Sequence, residues 1–141
     1  IARAEAVCGC PALRTLEQVE PIGPKKLLDA LIIAPCTGNT LAKMACGICD
    51  TGVTMAAKAH LRNSRPVLLA VSTNDGLGAN AISIAQLMQR KNVFFVPFGQ
   101  DGPFSKPKSL LSQMKMIPAC AEAALRGEQI QPLLQGVIDG V

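Results

Sequence analysis

The residues best placed to do chemistry form one short run, Pro35-Cys36-Thr37-Gly38-Asn39-Thr40. It follows the apolar stretch Ala30 to Ala34, which has strand length and stops at a proline. It opens onto a helical pattern in which Leu41, Met44, Ala45 and Ile48 share a face. Such a loop offers hydroxyls, an amide and free backbone N–H groups, and Gly38 lets a guest come close to the backbone. Asn39 or Thr40 is the expected helix cap. The positive end of a helix favours a phosphate, so the run reads as a phosphate-binding turn. An ordinary strand-to-helix turn would look the same, and both readings stand at this point. Cys36 divides similarly: a helix start lowers a thiol's pKa, while a small residue fitting a turn needs no reactivity.

The elements that must position this loop alternate. Val67 to Val71 is a second buried strand, ending in Ser72-Thr73-Asn74-Asp75-Gly76-Leu77-Gly78. Val93 to Val96 is a third, followed by a loop that begins Pro97-Phe98-Gly99-Gln100-Asp101 and continues to Pro107. Helices are expected at Val53 to Arg62, at Ala79 to Arg90 (Ala81, Ile84, Ala85 and Met88 on one face), and from Ser109 to Arg126 with a break at Pro118. Leu13 to Val19 alternates like a strand, Ile1 to Val7 is the tail of a helix, and the stretch from Gly127 to Val141 is a tail without clear periodicity. Strands alternating with helices imply one α/β domain over residues 1–141, a three-layer Rossmann-like, flavodoxin-type arrangement on a parallel sheet. With strands apolar on both faces and right-handed crossovers, the three loops should meet at one sheet edge, where open α/β sheets bind ligands.

Bulk composition narrows the function. The 141 residues, 49% of them hydrophobic, suffice for one core without staples. A net charge of +4, scattered basic residues and four phenylalanines without Tyr or Trp argue against nucleic acid. No apolar run approaches the ~20 residues of a membrane span. The start Ile1-Ala2-Arg3-Ala4-Glu5 has no leader pattern. A cytoplasmic setting with six reduced cysteines is the expectation. Cys46-Gly47-Ile48-Cys49 is formally a CxxC, but with one histidine in the chain it reads as small core residues, not a zinc site. No metal is expected. His60 is expected to be exposed or to cap its helix. No GxGxxG loop, Walker loop or Ser-His-Asp arrangement is present.

Pattern here becomes resemblance. Ala34-Pro35-Cys36-Thr37-Gly38-Asn39-Thr40 with Ala42-Lys43 and Gly47-Ile48-x-Asp50 resembles the central signature of the flavoprotein family, which includes flavin-containing cysteine decarboxylases and flavin prenyltransferases. Ala56 to Asn63, Leu69 to Asp75, Lys91 to Asp101 and Gln129 to Pro132 extend the resemblance over most of the chain from about Val19. Within the family they are similar to the flavoprotein-like component of a two-component oxidoreductase made during sporulation. The resemblance implies a homo-oligomer with FMN between its copies, a separate partner that binds NADP, and a small dicarboxylate substrate. By position, Pro35, Cys36, Thr37, Gly38, Asn39, Thr40, Ser72 and Thr73 would bind the cofactor, and Asn74 and Asn80 the substrate. No catalytic residue is assigned. The decarboxylases' motif has a proline and a methionine where this chain has Val71 and Thr73, which counts against cysteine decarboxylation. Family members begin with a strand and a Gly/Ser phosphate loop, followed later by a histidine. This chain starts after both, so a first strand and helix are expected to be missing. Three readings follow: a component of the oxidoreductase, an FMN-dependent cysteine decarboxylase-like protein, or an assembly module that no longer binds flavin.

Overall fold

The computed structural model describes residues 1–138. Its centre is β2 (Val67–Thr73), whose first five residues are buried on both faces. β1 (Leu31–Cys36) and β3 (Val93–Phe95) pair with it in parallel on opposite sides, Leu31 opposite Val67 and Val67 opposite Val93. Val67, Leu69 and Val71 point into one core with Leu41, Met44, Ala57, Ile84 and Leu87. These come from α3 (Gly38–Cys46), α4 (Gly52–Arg62) and α5 (Ala81–Met88). The alternate residues Leu68 and Ala70 face the other way, against Val96 and Cys120. Cys120 lies on α6 (Ile117–Leu125), which makes the third layer. The period-2 alternation of a strand thus divides one apolar run between two cores.

Several expectations change. The sheet is mixed: β4 (Phe98–Gln100) and β5 (Leu110–Ser112) pair antiparallel, and β5 also runs antiparallel to the end of β2 through Thr73 and Leu110. β6 (Leu134–Val137) joins β4 in parallel, so the unpatterned tail contains a strand; residues 139–141 lie outside the described residues. The helix expected from Ser109 therefore starts only at Ile117, with Pro118 in its first turn, where a missing N–H costs nothing. Leu13 to Val19 holds α2 (Leu16–Val19) instead of a strand. Thr15 accepts from Gln18 N, and the Gln18 side chain accepts from Thr15 N, a reciprocal cap that outweighs the alternation. The alanine-rich start is α1 (Ala2–Cys8), ended by Gly9 at φ 67°.

β1 departs from the both-faces-covered expectation. It runs through Pro35 to Cys36, and Ile32 and Ala34 are exposed on the face where no helix lies over it. α5 buries Ser83, Ile84 and Leu87, while Ala81, Ala85 and Met88 face outward. α3 ends one residue before Gly47, whose φ of 74° turns the chain, so Ile48 lies beyond the helix and is exposed. That same turn leaves Cys46 exposed and Cys49 half-buried, contrary to the core role expected for both. No helix among the described residues is long and apolar enough to cross a membrane.

Candidate functional site

The first loop and the second meet at Gly38. A Cβ on Gly38 would lie 2.5 Å from Asn80 Nδ2, 2.7 Å from Thr73 Oγ1 and 3.0 Å from Asp75 Oδ1. Only a hydrogen fits in that space, so glycine here is what lets α3 start against the end of β2. The loops that the sequence placed far apart therefore share one rim, above the carboxyl ends of β1 and β2.

Asp75 is the hub of that rim. Thr73 Oγ1 donates to its Oδ1 at 2.6 Å, and Asn80 Nδ2 donates to the same oxygen at 2.8 Å and to Oδ2 at 3.0 Å. These bonds favour the ionised carboxylate, the one from Thr73 most, and hold its pKa below the usual carboxylate range. The third loop joins through its end. Ser109 Oγ donates to Thr73 O at 3.3 Å and also lies beside the Asp101 carboxylate. Lys106 Nζ donates to Asp101 at 2.7 Å and, with Ser109, keeps that carboxyl's pKa low as well. Phe98 to Gln100, expected as loop, is strand β4.

The candidate residues separate by accessibility. Thr37, Asn39 and Asn74 are exposed, Thr40 is half-buried, and Thr37 Oγ1 lies 3.4 Å from Thr40 Oγ1. Thr37, not Asn39 or Thr40, is the N-cap of α3, and its side chain caps nothing. The first N–H groups of this nine-residue helix therefore stay available at the outer lip. Pro35 is exposed but carries no donor, and Ser72 is half-buried. Cys36 is fully buried, and burial pushes its thiol up to about 12. The small-residue reading of Cys36 is correct, and desolvation outweighs any pull from the helix start. Asn80 is buried, with its amide nitrogen committed to Asp75, so its carbonyl oxygen is the part left for a guest.

Asp75 is the site residue that sequence reading overlooked. Its signal was Thr73-x-Asp75 in a glycine-containing loop, a spacing at which a hydroxyl readily bonds a carboxylate. The charge alters the chemistry of the rim. An anion is favoured at the lip by Thr37, Asn39, Thr40 and the end of α3, and is repelled from the inner niche where Asp75 lies. A guest with an anionic end and a hydroxyl-bearing or neutral middle suits this pattern. FMN meets it in part, through its phosphate at the lip. Among the described residues no cluster of His, Cys, Asp and Glu could hold a metal.

The flavoprotein family model matches residues 7–117. This chain belongs to the flavoprotein family. Over 134 residues it is 47% identical to the B subunit of dipicolinate synthase from Bacillus subtilis, covering 95% of this chain and 67% of the relative. The crystal structure of the same dipicolinate synthase component from Bacillus halodurans superposes with a TM-score of 0.94 at 46% identity, over 97% of this chain and 70% of that one. An FMN-dependent cysteine decarboxylase, SpaF, shares the fold at a TM-score of 0.63 and 23% identity, over 89% of this chain and 70% of that one. The chain thus spans about two-thirds of the length of these two dipicolinate synthase B subunits, and its mixed sheet is a flavodoxin-like, three-layer Rossmann-type arrangement.

Proposed function

We propose that this flavoprotein is the B subunit of a dipicolinate synthase, working in the cytoplasm with the NADP-binding A subunit. The reaction oxidises a dihydrodipicolinate-type precursor to dipicolinate. A hydride leaves the ring for NADP on the partner, a proton is released, and the ring becomes aromatic. The observation that carries this reading is the 47% identity across 95% of the chain. The lip agrees with it as a receiver for one carboxylate, and the charge of Asp75 requires the second to lie outside the inner niche.

In this reading the chain binds and orients; the redox step belongs to the partner. One substrate carboxylate lies at the lip, on the hydroxyls of Thr37 and Thr40 and the first N–H groups of α3. The other is held by the exposed amide of Asn74. Asp75 keeps Thr73 and Asn80 in place and, by its charge, prevents a carboxylate from sliding inward. FMN, if bound, would supply flavin redox chemistry, and its phosphate would take the lip at Thr37, Asn39 and Thr40 in place of the substrate carboxylate. The homo-oligomer implied by the resemblance also belongs to this proposal.

Reconstitution tests it. The chain, its NADP-binding partner, NADP and the precursor are mixed, and NADPH and dipicolinate are followed together. Turnover is expected only when both proteins are present. Strong turnover by this chain alone, or none from the pair, would reject the proposal.

A further inference from the structure

Asp75 is held as an anion without being neutralised. Its bonds come from Thr73 Oγ1 and Asn80 Nδ2, both uncharged, and it has no ion pair among the described residues. Asp101, the other carboxylate near the rim, differs. Lys106 Nζ lies 2.7 Å from its Oδ2, and its Oδ1 is buried. Neutral donors favour the ionised form of Asp75 and leave its full charge to act on a guest. A rim that only received anions would gain nothing from such a charge.

The carboxylate also keeps room to accept. An ionised carboxylate has about four lone-pair sites. Thr73 and Asn80 together occupy Oδ1, while Oδ2 takes only the longer bond from Asn80, at 3.0 Å. One acceptor site thus remains at Oδ2, on a residue that is only half-buried. The group is also fixed against the lip. Its Oδ1 lies 3.0 Å from where a Cβ would sit on Gly38, the first residue of α3. A small ring with a carboxylate at the lip therefore has its body beside Asp75.

We infer that Asp75 is the counter-charge and the proton acceptor for the ring that loses hydride. The inference rests on the reading given under Proposed function and adds a catalytic residue to it. One ring C–H bond breaks and its electron pair passes with the hydrogen to NADP on the partner, which becomes NADPH. The ring is left with a positive charge, which the fixed carboxylate opposes without reorganising. A second ring hydrogen then leaves as a proton to Oδ2, while its bonding pair completes the aromatic ring. The carboxyl afterwards gives that proton to water. The bonds from Thr73 and Asn80 make Asp75 a weak base, but a cationic ring one proton from aromaticity needs no stronger one. Once the product forms, the ring charge is gone and Asp75 repels the remaining dianion, which favours release.

The test uses the whole chain with its NADP-binding partner, NADP and the precursor, for wild type, Asp75→Asn and Asp75→Ala. Binding of pyridine-2,6-dicarboxylate to each chain alone is measured by isothermal titration. Asp75→Asn is expected to lower kcat about 10²–10⁴-fold without raising KM. It should bind pyridine-2,6-dicarboxylate about threefold more tightly, the repulsion of one charge at ~6 Å in water. Added formate should restore part of the Asp75→Ala rate, because a free carboxylate can enter the vacated space. Wild type without turnover removes the functional reading and this inference with it. Wild-type turnover matched by Asp75→Asn overturns the inference and leaves the reading standing. Turnover lost together with dicarboxylate binding, or lost without rescue by formate, also overturns it, making Asp75 a brace for Thr73 and Asn80 only.

Discussion

Gly38 is the tightest point of the rim, because Asn80 Nδ2 and Thr73 Oγ1 lie closer to its missing side chain than any methyl group tolerates. Gly38→Ala should cost about 1–3 kcal/mol, the usual range for overpacking, measurable as a lower urea midpoint. Thiol labelling gives a second check. At neutral pH, Cys8, Cys10 and Cys46 are exposed and should react in the native protein. Buried Cys36 and Cys120, both with raised pKa, should react only after unfolding. His60 supplies a pH dependence. It is 1% exposed, not exposed as the sequence suggested, because α4 turns it inward, and its Nε2 has no partner among the described residues. Burial lowers its pKa, and the nearby Arg65 charge adds to this, against the raising effect of a backbone hydrogen bond at Pro66 and of Asp29. A histidine whose folded pKa lies below its unfolded one binds more protons when unfolded. Its stabilising share is therefore complete above the unfolded pKa, near 6.5, and is lost as pH falls below it. Denaturation midpoints should drop as pH falls below about 6.5, and His60→Leu should flatten that slope.

Among the elements, α4 has the strongest local reasons to form. Thr51 and Thr54 cap it reciprocally, each side chain accepting from the other's backbone N–H. Thr51→Ala should cost about 1 kcal/mol, visible as a reduced melting temperature. Where the sequence was readable, the element was long and had one dominant period. The β2 run and α4 are of this kind; the strand-to-helix unit that places Gly38 was recognised, though its strand runs through Pro35 to Cys36 and its helix already starts at Gly38. Where it was not, the deciding contacts lay far away in the chain. β4, β5 and β6 have only three or four residues each, too few for a period to show, and they exist because Leu110 finds Thr73 and Phe98 finds Leu134. The Thr15–Gln18 capping box was present in the sequence but was masked by a chance alternation. The same limit applied to the site. Its anion-receiving lip was visible as a polar loop before a helix, whereas Asp75 gained its role only when folding brought Gly38, Thr73 and Asn80 around it.

At the scale of the whole molecule, the layered sheet brings two distant loops to one edge, where Gly38 of the first packs against the hydrogen-bonded Thr73, Asp75 and Asn80 of the second. Asp75 and Asp101 both have depressed pKa values, so their stabilising shares persist at neutral pH and are lost as pH falls through their folded values. The rim should therefore loosen in strong acid. The central claim is that Thr37 to Thr40 and Ser72 to Asn80 form one receptor for a dicarboxylate. An amide NMR titration of the isotope-labelled chain with pyridine-2,6-dicarboxylate tests it most directly. Shifts concentrated on both segments, saturating together and lost in Asn74→Ala, are expected. Shifts confined to one segment, or spread over residues away from this rim, would contradict it.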